Sequence, residues 1–160
     1  MRVVFDQLPA EAKVWMYQSN QPFNESQLSI INELSDIFLD QWESHGIPVQ
    51  GSIDVLNSNC IRIGGYTNEE NMCGRARDGQ ARLAKELEGE LNVELMNRMI
   101  LAFELGDEPI IVHMNDVEDK ISEGVISSET PFFNNLVQSK KEFQEDWKVD
   151  AASSWLSRYF

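Results

Sequence analysis

Cysteine is scarce in this chain, and so is positive charge. Two cysteines among 160 residues, Cys60 and Cys73, cannot form the disulfide framework of a small secreted domain. The N-terminal stretch "MRVVFDQLPAEAKVW" lacks the uninterrupted apolar segment of a signal peptide, so a reducing cytoplasm is the expected compartment. No apolar run approaches the length of a membrane span. Thirteen lysines and arginines stand against 27 acids, a net charge of −14. Such a surface repels duplex DNA, RNA and anionic lipid, which excludes them as expected partners. Two histidines, His45 and His113, have no metal-ligand spacing with each other or with the cysteines, so no metal is expected. Repeats and low-complexity segments are also lacking.

Apolar material is plentiful. The chain is 42% hydrophobic and has the length of one domain with a real core. Residues 12–19, "AKVWMYQS", read as a strand from their β-branched and aromatic content. Asn24 and Gln27 form a capping-box signature, with Phe23 and Leu28 at the positions of a hydrophobic staple. Leu28, Ile31, Leu34, Phe38 and Trp42 then recur at helical spacing. His45 is expected in the last turn of that helix, where its charge suits the dipole, with Gly46 as a left-handed cap. "VQGSIDVLN" and "NCIRIGGYT" predict a hairpin about Asn57–Asn59. Leu83, Leu87 and Leu91 predict a second helix, capped near Asp78. Its acids Glu86, Glu88, Glu90 and Glu94 are expected to form a solvated face. "RMILAFEL" and "PIIVHMN" predict another hairpin, "NDVEDKISEG" a short helix, and "NNLVQSKKEFQEDW" a helix placing Leu136, Phe143 and Trp147 on one face.

The expected fold is therefore α+β: a ferredoxin-like βαββαβ core with an extra edge strand and a C-terminal helical arm. Residues 1–130 are expected to form the sandwich core and 131–160 an arm packed on the same domain. Phe132, Phe133, Trp155 and Tyr159 make the arm too apolar for a free tail, so a second subunit is one possible seat for them.

Several stretches resemble a family of short Bacteroidetes proteins catalogued as "ABC transporter ATPase". They are "VWMYQ" after a Leu-Pro start, "QWESHG", the cysteine loop before "KELE", and Asn97–Arg98. The ending "FFNNLVQSKKEFQEDW" with "SSWLSRYF" is the most specific piece. The catalogue label implies nucleotide hydrolysis, and the residues argue against it. A phosphate loop needs a lysine and a hydroxyl after its second glycine. Here "GRARDG" is followed by Gln80 and Ala81, so neither ATP nor another cofactor is expected. The family loop reads Gly-Cys-Ser-Ile-Asp; this chain has two extra residues between Cys73 and Asp78.

The same loop holds the most distinctive chemistry. Cys73 precedes a helix and neighbours Arg75 and Arg77, a setting that lowers a thiol's pKa. Four of the 13 bases, Arg75, Arg77, Arg82 and Lys85, cluster here. Arg98 opens a later strand, where it can pair with Glu94 or Glu104 or reach the cysteine loop. The candidate ligand-binding set is Cys73, Arg75, Arg77 and Arg98. Trp15, Tyr17 and Trp42 read as core first and as pocket lining second. Two functional readings follow. The leading one is a non-catalytic binding module for a small anionic ligand or a protein partner, a homodimer included. The rival is an enzyme with Cys73 as nucleophile and arginines holding an anionic substrate, with His45 or His113 brought near as base.

Overall fold

The computed structural model describes residues 1–68 and 72–160; the stretch 69–71, at the start of the cysteine loop, lies outside the described residues. The structure is a mixed α+β fold built on two main sheets. β1 (Lys13–Gln18), α1 (Glu25–Gln41), β4 (Gln50–Leu56), β5 (Cys60–Tyr66) and α2 (Gly74–Leu91) make the first half. Its sheet has the order β1-β5-β4, antiparallel throughout. Side chains alternate across it with the strand period of two. Trp15, Tyr17, Ile61 and Ile63 face α1 and α2, while Val14 and Met16 face the N-terminal segment and Phe143.

The two helices run antiparallel because both of their ends are pinned. The capping box at Asn24 and Gln27 forms as expected. The Gln27 side-chain amide also donates to the Leu91 carbonyl at 3.0 Å, tying the start of α1 to the end of α2. At the other end the Trp42 indole N–H donates to the Ala76 carbonyl at 2.8 Å. Trp42 fits against the sheet only because two glycines face each other beneath it. Gly51 pairs with Gly65 across β4 and β5. A Cβ on Gly65 would stand 2.5 Å from the Trp42 ring.

Three local expectations are corrected. α1 ends at Gln41, and His45 is not in its last turn. His45 and Gly46 both have positive φ, 52° and 78°, and form the tight turn of a small hairpin, β2 (Glu43–Ser44) with β3 (Ile47–Pro48). Positive φ at both central residues is the signature of a type I′ turn, whose twist suits paired strands. α2 begins at Gly74 with Cys73 as its N-cap, and Asp78 lies within the helix. The longest of the C-terminal helices, α4, spans only Lys140–Asp146, so Leu136 stays outside it and is half exposed.

The larger correction concerns the single ferredoxin-like sheet. β6 (Ile100–Leu105), expected beside β1, pairs instead with β7 (Glu108–His113) and β8 (Pro131–Phe133). With β9 (Lys148–Asp150) they form a second sheet of order β7-β6-β8-β9. α3 (Val117–Ser122) packs on it through Val117, beside Ile126 and Leu156. Residues 131–160 are thus no helical arm. β8 is an interior strand, and α4 covers the back of the first sheet. There the buried Lys140 ammonium donates to the carbonyls of Asp6 and Leu8 at 2.8 and 2.7 Å. The aromatics considered for a second subunit are used within the chain: Phe132 packs on Phe103 at 5.1 Å, and Trp155 on Phe132 at 5.7 Å.

Candidate functional site

Cys73 stands where α2 leaves the loop, directly over the β2–β3 turn. Its backbone N–H donates to the Ser44 hydroxyl oxygen at 3.0 Å. The Sγ completes no capping hydrogen bond in the resting geometry. Its pKa is nevertheless lowered, by the Ser44 hydroxyl first and then the Ala76 amide; burial opposes them by less, and the amides of His45 and Arg75 add smaller effects still. The environment therefore shifts this thiol toward ionisation. Cys60 is the opposite case. It is fully buried on β5, and burial pushes its thiol up to about 12.

Cys73 opens onto a groove of about 710 Å³ between α1 and α2, roofed by the hairpin turn. Arg75, Gly79, Arg82 and Glu86 line it from α2, at the spacing that keeps residues on one helical face. Ile37 and Phe38 line it from α1, and Ile37 is 50% exposed. Neither Arg75 nor Arg82 forms an ion pair among the described residues. Arg77 does not line this groove. It points elsewhere, half-buried, and its Nε has no hydrogen-bond partner among the described residues. His45 does line it, but its ordered contribution to the thiol is its backbone amide. His113 is far from this chemistry in role: its Nδ1 accepts from the Asn115 N–H at 3.1 Å and caps a turn. Among the described residues no cluster of three or more acids, histidines or cysteines could hold a metal.

Arg98 belongs to a different place. It stands at the mouth of a smaller cleft, of about 90 Å³, where the two sheets meet. Neither acid considered for it is its partner. Glu104 pairs with Lys148 at 2.8 Å, and Glu94 accepts from Asn97 at 3.3 Å. Tyr17 lines the cleft and its hydroxyl donates to the Gln80 side-chain Oε1 at 2.6 Å. Burial raises the Tyr17 pKa, partly offset by that hydrogen bond and by the Arg98 charge. The four expected ligand residues therefore divide: Cys73 and Arg75 share the groove, Arg98 lies in the cleft, and Arg77 lines neither. Arg82, Ser44 and Trp155 were not in the sequence's candidate set. Arg82 is recoverable from its seven-residue spacing to Arg75; the other two depend on pairings distant in sequence.

Comparison with family models, with curated proteins and with solved structures finds no match for this chain.

Proposed function

We propose that the protein is a non-catalytic binding module, and that the groove between α1 and α2 takes an acidic segment of a protein partner. The observation that carries this is the pair Arg75 and Arg82. They are two of only 13 basic residues, set on one face of α2 beside the exposed Ile37. Seven helical residues span roughly 10 Å, a separation that suits two carboxylates on one extended peptide. Arg75 and Arg82 share the groove with Glu43 and Glu86, so the selection falls on carboxylates placed opposite the two arginines, while the −14 net charge disfavours unspecific acidic partners. The first half of the fold supports relating it to ferredoxin-like sheets, and the kinship with the short Bacteroidetes proteins, a cytoplasmic setting and a homodimer belong to the same reading.

Peptide display tests it. Random 12-residue peptides selected on the wild-type protein are expected to carry acids flanking an apolar residue. They are expected to lose binding to the double variant Arg75→Glu, Arg82→Glu. Enrichment of basic peptides, or equal binding to the double variant, would contradict it.

A second reading is favoured by two features of Cys73, its place as N-cap of α2 lining the groove and its lowered pKa. They make a nucleophilic enzyme the alternative, with Arg75 and Arg82 holding an anionic substrate. A titration of Cys73 alkylation against pH separates the two. An apparent pKa near the free-thiol value of about 8.5 sinks the enzyme. Even a reactive thiol supports it only if an added anionic thioester or disulfide is turned over rather than merely bound.

A further inference from the structure

The cleft between the sheets exists because a strand pairing is missing. β1 is paired along one edge with β5. Its other edge is closed at its two ends only. The Val14 N–H donates to the Gln138 carbonyl at 3.1 Å, and the Asn20 N–H to the Glu94 carbonyl at 3.3 Å. Alternate residues of an antiparallel strand aim their N–H and C=O the same way. Met16 and Gln18 therefore aim theirs at this open edge, as Val14 and Asn20 do. There they meet no backbone partner among the described residues. Both residues line the cleft.

Three further features converge there. Arg98, exposed at the mouth, makes no ion pair among the described residues. Trp155 lines the cleft, and its indole Nε1 is buried with no hydrogen-bond partner among the described residues. The side-chain amides nearby are already engaged. Asn135 accepts from the Trp147 indole at 2.9 Å, and Gln18 donates to the carbonyls of Ser19 and Asn59 at 3.0 Å each. The rest of the wall is apolar, from Leu101, Phe132 and Phe133. About 90 Å³ is less than the roughly 150 Å³ that holds a benzene ring, so the cleft has room for one aliphatic side chain.

We propose that this cleft binds an apolar amino-acid residue that has a free α-carboxylate and an acylated nitrogen. The carboxylate meets Arg98 and the Trp155 N–H, the amide pairs with the open edge of β1, and the side chain fills the apolar wall. A peptide C-terminus and a free N-acyl amino acid share this chemistry. Recognition of this kind joins strand addition to carboxylate capture. The cleft is separate from the groove between α1 and α2 and does not depend on the function proposed for it.

Calorimetric titration of the intact protein distinguishes the elements and the two sources. The probes are N-acetyl-leucine, N-acetyl-leucinamide, 4-methylpentanoate, acetate and the tripeptide Ala-Ala-Leu. N-acetyl-leucine is expected to bind. The amide, which lacks the carboxylate, and 4-methylpentanoate, which lacks the acylated nitrogen, are each expected to bind at least tenfold more weakly. Acetate is not expected to bind. Tighter binding of Ala-Ala-Leu assigns the peptide source; equal or weaker binding assigns the small molecule. Arg98→Gln, at an exposed position, is expected to weaken N-acetyl-leucine at least tenfold. Trp155→Phe keeps an aromatic ring, though a smaller one, and removes the donor, and is expected to weaken it several-fold. In a nitrogen–proton correlation spectrum the Trp155 indole peak moves with saturation. The proposal is overturned if that peak does not move, if Arg98→Gln binds as well as wild type, or if the amide and 4-methylpentanoate match N-acetyl-leucine.

Discussion

The groove between α1 and α2 and the cleft between the sheets are built in opposite ways. The groove is the surface left where two helices are held tightly at both ends, by Gln27 on Leu91 and Trp42 on Ala76. It is wide open, and its charges are Arg75, Arg82 and Glu86 on one face of α2 with Glu43 on β2. The cleft is a gap left where β6 joins another sheet instead of β1. It is small, apolar inside, and carries unpaired donors. Large open grooves with charged faces suit protein segments, while small apolar pockets with a few polar groups suit small ligands. The difference teaches that arginines gathered as one set by their chemistry part in the fold: Arg75 lines the groove, Arg98 the cleft, and Arg77 neither.

The largest expected effect comes from removing what holds the groove. Trp42→Ala deletes a buried ring and strands the Ala76 carbonyl, which should cost about 3–5 kcal/mol in urea unfolding. Gly65→Ala drives a Cβ into the same ring and should cost about 1–3 kcal/mol by overpacking. Leu136→Ala, half exposed at the cleft, should stay within about 0.5 kcal/mol. Equal losses for Trp42→Ala and Leu136→Ala would erase the contrast between a tightly held floor and an open gap.

Next in size is the pH response of the two cysteines. Cys60 has a raised folded pKa, so the unfolded chain ionises first as pH rises. Its contribution is present below the unfolded value of about 8.5 and is lost as pH climbs toward its folded value. Cys60→Ala should flatten that alkaline loss in a pH series of thermal melts. Cys73 has a lowered folded pKa, so its contribution is present above the unfolded value and fades as pH falls through the folded one. The group is only half-buried, so the stability change there should be slight. The clear readout is alkylation: Cys73 should react in the native protein below the free-thiol value of about 8.5 while Cys60 does not.

The first half of the fold was largely legible because its signals are local. The Asn24–Gln27 capping box and the hairpin about Asn57–Asn59 are each written in adjacent residues, as is the hairpin about Gly106 in the second half. His45 was misplaced because its histidine, glycine and proline suit a helix stop as well as a type I′ turn. The helical spacing that ran through Trp42 hid the stop at Gln41. The sheet to which β6 belongs is set by β8, three residues long and nearly thirty positions away, and no local pattern announces so short a strand. Glu88 illustrates the same limit within an acidic face expected to be solvated. Its Oε2 accepts the amides of Leu95 and Met96 at 2.7 and 2.8 Å, tying the loop after α2 to the helix. The candidate site was legible in its residue types. Its division into groove and cleft was not, because it follows from the packing of distant elements.

The smallest expected effect separates apolar from ionic contributions in the groove. Ile37→Ser removes exposed apolar surface and should weaken a selected peptide by less than the double variant Arg75→Glu, Arg82→Glu. Two exposed pairs at about 1 kcal/mol each correspond to at least about a tenfold loss for the latter. Reversal of that order would make the groove an apolar surface whose arginines are incidental.

Cys73 is a native reporter placed inside the groove, and its alkylation rate tests the central claim most directly. At saturating selected peptide the account predicts alkylation of Cys73 slowed at least about tenfold relative to the peptide-free protein, and no slowing in the Arg75→Glu, Arg82→Glu protein relative to its own peptide-free rate, because the peptide no longer binds. An unchanged rate on a protein shown to be saturated with peptide would contradict it, since the peptide would then lie somewhere other than between α1 and α2.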